Sequence, residues 1–182
     1  MRPSFLSRKS MSKPKSIAIL IEEQYQVLEV WYPWLRLREN GYDVRLIGTG
    51  TKPVYGSKEG YPAAADAAIR DIKADDFAAV IIPGGFAPDF MRRVPEVAAF
   101  VRAMSDKDKI VAAICHGGWM LVSAGILKGR KATSFFAIKD DLIAAGAEWS
   151  DEEVVVDGRL ITSRKPEDLT AFTVEVIKQL RA

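Results

Sequence analysis

The stretch Ile110–Trp119, IVAAICHGGW, decides how this chain is read. Its first five residues form an unbroken apolar run of strand length, the pattern of a strand covered on both faces in a parallel sheet. From about Gly117 the sequence takes on helical character as far as Ala124, where Gly125 supplies a stop. A strand that enters a helix through small residues makes the sharp turn on which α/β enzymes expose a nucleophile. Cys115 stands on that turn. It is the only cysteine among 182 residues, and its neighbour His116 is the only histidine.

This scarcity excludes an intramolecular disulfide, a Cys-rich zinc site, a CxxC redox pair and a His-pair metal motif, so no metal or other cofactor is expected. A single unpaired thiol fits a reducing compartment, and a cytoplasmic location is expected. The apolar share of 48% and charged share of 27% are those of a globular protein. The formal charge of +2 hides an asymmetry. Residues 1–16 carry five bases and no acid, and the remainder carries 21 bases against 24 acids, a net of −3. No nucleic-acid surface is indicated, and no apolar run approaches the roughly 18 residues of a membrane span. Residues 1–16 read as a flexible basic tail, with Met11 as an alternative start and a weak organellar address as the second reading. Residues 17–182 read as one domain.

Outward from the elbow the chain alternates strand-like and helical segments. Ile17–Ile21 and Asp43–Gly48 read as strands, separated by a helix with Val27, Val30, Trp31 and Trp34 on one face and Pro33 inside it. Ala79–Ile82 reads as a third strand ending at Pro83-Gly84-Gly85, followed by a helix from about Pro88 to Met104. Near the C-terminus, Val154–Val156 and Arg159–Thr162 flank Asp157-Gly158, the signature of a hairpin with a type I′ turn. Pro166, Glu167 and Asp168 open a last helix whose core stripe is Leu169, Phe172, Val176 and Leu180. The pattern predicts a doubly wound α/β fold: a mostly parallel, flavodoxin-like sheet between helices, with a β-hairpin near the C-terminus.

At the elbow, the free N–H groups of the helix start are expected to favour the Cys115 thiolate. The backbone N–H groups of His116 and Gly85 are candidates for an oxyanion hole. His116 looks poorly placed as a base for its own neighbour, since adjacent residues at a helix start do not face each other.

The AICHG elbow, the PGG turn, the segment LEVWYP and the tail IKDDLIAAGAEW through DGRLITSRKPEDL resemble the ThiJ/PfpI family of the class I glutamine amidotransferase-like superfamily. The similarity covers about Ile17 to Leu180. The resemblance implies that Glu29, four residues before Pro33, contacts the catalytic cysteine. A carboxyl buried with a thiolate must hold the shared proton, so the two would titrate as a pair. It implies further that Asp89, where glutamate is common, orients His116 of a neighbouring subunit. Gln26 stands where many relatives carry a second acid.

Four activities follow from the resemblance. One is a glutathione-independent glyoxalase or protein deglycase acting through a Cys115 adduct, on a small carbonyl substrate or on modified protein side chains. The others are a cysteine peptidase using Cys115, His116 and Asp89, a redox-sensing stress protein or chaperone, and a lyase-type enzyme. The resemblance also implies a homo-oligomer, a dimer or a larger closed assembly. Carbonyl chemistry ranks first, peptidase second.

Overall fold

The computed structural model describes residues 15–182, so the expectation of a basic tail falls almost wholly outside the described residues. In chain order the elements are β1 (Ser16–Ile21), α1 (Val27–Glu39), β2 (Asp43–Gly48), β3 (Val54–Gly56), β4 (Pro62–Ala64), β5 (Ala67–Ala68) and β6 (Ala79–Ile82). Then come α2 (Ala87–Met91), α3 (Pro95–Asp106), β7 (Ile110–Ile114), α4 (Gly118–Ala124), β8 (Lys131–Ala132) and α5 (Lys139–Ala144). β9 (Glu148–Trp149), β10 (Val154–Asp157), β11 (Leu160–Ser163) and α6 (Leu169–Arg181) complete the chain.

Seven strands form one sheet in the order β10-β11-β7-β6-β1-β2-β5. All neighbours run parallel except β10 against β11. The central strands β6 and β7 are apolar at every position because both of their faces are covered. All five residues of β7 are buried, and α3 and α6 both pack on it. This is the doubly wound, flavodoxin-like architecture that the strand pattern predicts.

The chain leaves β1 towards β2 on one side and returns to β6 on the other, so the direction of winding reverses between β1 and β6. The crevice beyond the carboxyl ends of the strands at such a reversal is where ligands bind in open α/β sheets. Three segments meet there: the loop after β1, the Gly84-Gly85 turn after β6, and Cys115 after the adjoining β7.

Two expectations need correction. The helix drawn from Pro88 to Met104 is two helices, α2 and α3, because Pro95 lacks a donor and drives Val94 into extended backbone (φ −113°, ψ 99°). The hairpin is present, but its register pairs Asp157 with Leu160, leaving Gly158-Arg159 as the loop. Only Gly158 (φ 58°) has positive φ there, whereas a type I′ turn needs two such residues.

Candidate active site

Cys115 follows β7 and opens a short 3₁₀ turn, Cys115–Gly117, that leads into α4. Its φ of 60° puts a side chain in the left-handed region, which glycine tolerates and other residues enter only when their surroundings force them. The forcing is visible on both sides. Gly117 lies so close to β6 that a Cβ there would sit 2.3 Å from the Ile82 carbonyl oxygen. A Cβ on Gly84 would lie 2.8 Å from Cys115 Cβ, 2.8 Å from His116 N and 2.9 Å from Glu29 Oε2. Gly84 is therefore the gap through which the elbow, the PGG turn and α1 come together.

Glu29, in the first turn of α1, is fully buried. Its Oε2 accepts the Gly84 N–H at 2.6 Å, Oε1 makes no well-formed hydrogen bond, and the carboxyl lies within interaction range of the Cys115 thiol. Burial raises its pKa to about 8, with the Gly84 and Cys115 contacts pulling the other way. The structure thus brings Glu29 to the cysteine, where the resemblance implied it.

The Cys115 sulfur is faced by the amides of His116 and Gly85, the two proposed oxyanion-hole donors, and both favour the thiolate. Burial and the charge of Glu29 outweigh them and push the thiol up to about 12. The expectation of a thiolate favoured by the helix start is corrected on this point. With both groups raised, the pair keeps both protons near neutral pH. When the first one leaves, the remaining proton is shared between carboxyl and sulfur.

His116 Nδ1 lies 3.3 Å from Cys115 Sγ. This overturns the expectation that neighbours in sequence would not meet, because that rule holds for helical backbone and Cys115 is left-handed. The half-buried imidazole lies between Trp119 (5.2 Å, edge-on) and Phe135 (5.0 Å, tilted). Burial first, and then the charge of Lys58, lower its pKa and favour the neutral ring. The contact implied for Asp89 is with a neighbouring subunit. On α2 Asp89 pairs with Arg93, four residues on, in the same chain.

Sequence reasoning missed two contributors. Phe135 comes from the loop after β8, and no local pattern connects it to His116. Trp119, by contrast, is three residues beyond His116 at helical spacing, a signal that was available. The role of Gln26 was also hidden: it is the N-cap of α1 and accepts the Glu29 N–H at 2.9 Å.

Fold and site together define an α/β protein with a cysteine on a nucleophile elbow at the switch point of its sheet. The family model of the DJ-1/PfpI family matches residues 15–179, and the chain belongs to that family. The curated "Deglycase PfpI" of Pyrococcus furiosus is 42% identical over 165 residues, 91% of this chain and 99% of its own. "Putative cysteine protease YraA" of Bacillus subtilis is 40% identical over 167 residues, 92% and 99% of the two chains. Among solved structures, a two-domain protein of Anabaena variabilis with DJ-1/ThiJ/PfpI-like and ferritin-like domains superposes with a TM-score of 0.89 at 42% identity. The match covers 91% of this chain and half of that one. Drosophila melanogaster DJ-1beta gives 0.86 at 25% identity, over 92% and 91% of the two chains.

Proposed function

We propose that this protein is a cysteine-dependent enzyme acting on reactive carbonyls, of the glutathione-independent glyoxalase or deglycase type. The observation that carries the reading is the setting of Cys115 Sγ. It lies on a strained elbow, with a buried carboxyl able to hold a proton on one side and two amide donors facing it. The names of relatives such as Deglycase PfpI support it.

With methylglyoxal, His116 Nδ1, 3.3 Å from Sγ, takes the thiol proton as the sulfur adds to the aldehyde carbon. A C–S bond forms, and the carbonyl pair moves to an oxygen held by the amides of His116 and Gly85. The proton from the thiol passes to the oxygen of the neighbouring carbonyl, and Glu29 or His116 moves the proton of the first carbon to that carbonyl carbon. The first carbon becomes a thioester as the second becomes an alcohol, so the oxidation is internal. Water attacks the thioester, the C–S bond breaks, sulfur regains a proton and lactate leaves. With an early adduct of the same carbonyl on Lys, Arg or Cys of a protein, the bond from that carbon to the protein nitrogen or sulfur breaks as the C–S bond to Cys115 forms, the freed protein group takes up a proton, and the later steps are the same.

Cys115 is 8% exposed, enough for a small electrophile and narrow for an extended peptide. The contact between His116 Nδ1 and Sγ nonetheless favours a second reading, a cysteine peptidase, in which the imidazole takes the thiol proton. Methylglyoxal consumption and lactate formation without glutathione test the first reading. Turnover no greater than that of Cys115→Ala would refute it, and cleavage of a fluorogenic peptide that is lost in the same variant would establish the second.

A further inference from the structure

One buried polar residue beside the cysteine has no part in the chemistry above. Gln26 is 9% exposed and stands at the start of α1 with extended backbone (φ −77°, ψ 121°). Its side-chain oxygen accepts the N–H of Glu29, and its own N–H reaches the Gly84 carbonyl at 3.3 Å. Gly84 in turn donates to Glu29 Oε2. The three residues close a ring of hydrogen bonds in which Gln26 holds the backbone of Glu29 and Gly84 holds its carboxyl. The next residue, Gly85, points its amide at the sulfur.

Helix starts favour Ser, Thr, Asp or Asn as caps, and Gln is not among them. A carboxylate would cap this end at least as well, because it also complements the helix dipole. An amide here gives the cap without a charge, at a point three residues from a buried acid whose proton matters. We propose that Gln26 is the positioning residue of the Glu29–Cys115 pair: its oxygen pins the first turn of α1 so that the Glu29 carboxyl stays on the Gly84 amide, and its neutrality keeps a second negative charge out of the site. Charged and titratable groups already act on Glu29 from two other directions. Cys115 lies on the elbow side, and Lys58 and Glu59 of the β3–β4 loop act with opposite signs. His116 borders the sulfur. A carboxylate at position 26 would tip this balance.

The inference rests on Cys115 as nucleophile but not on any substrate, and alkylation tests it separately. The rate at which iodoacetamide modifies Cys115 in the full chain is measured from pH 5 to 10 by mass spectrometry, for the wild type and for Gln26→Ala, Gln26→Ser and Gln26→Glu. Gln26→Glu retains the cap but adds a charge, and its profile should move up by about one pH unit, roughly tenfold slower at pH 7. Gln26→Ala loses the cap. Glu29 then loses the Gly84 N–H that favours its ionised form, the pair gives up its first proton at higher pH, and alkylation at pH 7 slows to a similar degree. Gln26→Ser restores a neutral cap and should return the wild-type profile. Melting curves at pH 5 check that each variant is folded. A Gln26→Glu profile equal to the wild type's, or a Gln26→Ser profile equal to that of Gln26→Ala, overturns the proposal. Loss of methylglyoxal turnover with these profiles intact would count against the carbonyl reading alone.

Discussion

Replacing Glu29 by glutamine should make the protein more stable at neutral pH. The carboxyl is fully buried and its pKa is raised from an ordinary 4.5 to about 8, chiefly by burial. A carboxyl with a raised folded pKa holds a proton that the unfolded chain has already lost, so stability falls as pH rises from about 4.5 to about 8. At about 1.4 kcal/mol per pH unit, the burden is roughly 3 kcal/mol at pH 7 and roughly 5 kcal/mol at pH 8 and above. Glutamine is neutral throughout, nearly isosteric, and its oxygen can still accept the Gly84 N–H. For a chain of this size the variant should melt roughly 6 to 12 °C above the wild type at pH 7. The two should converge towards pH 4. Melting curves between pH 4 and 9 make the test. A glutamine variant that is less stable than the wild type, or a difference that does not grow with pH, would refute the assignment of Glu29 as a buried, protonated acid.

Other consequences follow from the same geometry. Alkylation of Cys115 by iodoacetamide should rise through an apparent pKa near 8, where the pair loses its first proton, and Glu29→Gln should lack that step. Gly84→Ala puts a methyl group within 3 Å of Cys115, His116 and Glu29, and should lower alkylation at pH 7 by at least tenfold along with the melting temperature. Because Cys115 has a φ of 60°, Cys115→Gly should be about 1 kcal/mol more stable than Cys115→Ala, by chemical denaturation, in reversal of the usual order. Asp168, at the start of α6, is 5% exposed on its side chain and paired with Arg164 at 2.8 Å. Arg164→Ala strands that carboxylate and should destabilise the chain by roughly 3 kcal/mol, in melting as well as in urea.

Much of the fold can be read in the sequence because burial leaves a plain trace. Ile17–Ile21, Ala79–Ile82 and Ile110–Ile114 are apolar throughout, as strands covered on both faces must be, and each lies where the pattern puts it. The short pairings β3 with β4 and β8 with β9 are two or three residues long and carry no period to detect. The break before Pro95 is legible in the sequence, although the apolar spacing runs on across it. At the site, the elbow could be located from its small residues, but not the left-handed backbone of Cys115. That single dihedral brings His116 Nδ1 to the sulfur and defeats the helix-based argument against it. The raised thiol pKa was hidden for a similar reason. Amide donors can be inferred from a turn, whereas the depth of burial that outweighs them depends on α1 closing over the site.

The central claim is that Cys115 bonds covalently to the carbonyl carbon during turnover. Acid-quenching a reaction of the protein with methylglyoxal within the first turnovers, followed by peptide mass mapping, addresses it directly. The account predicts one methylglyoxal equivalent on the peptide bearing Cys115, decaying as lactate appears and absent in Cys115→Ala. Lactate formed by Cys115→Ala at the wild-type rate, or steady turnover with the adduct confined to lysine and arginine peptides, would contradict it.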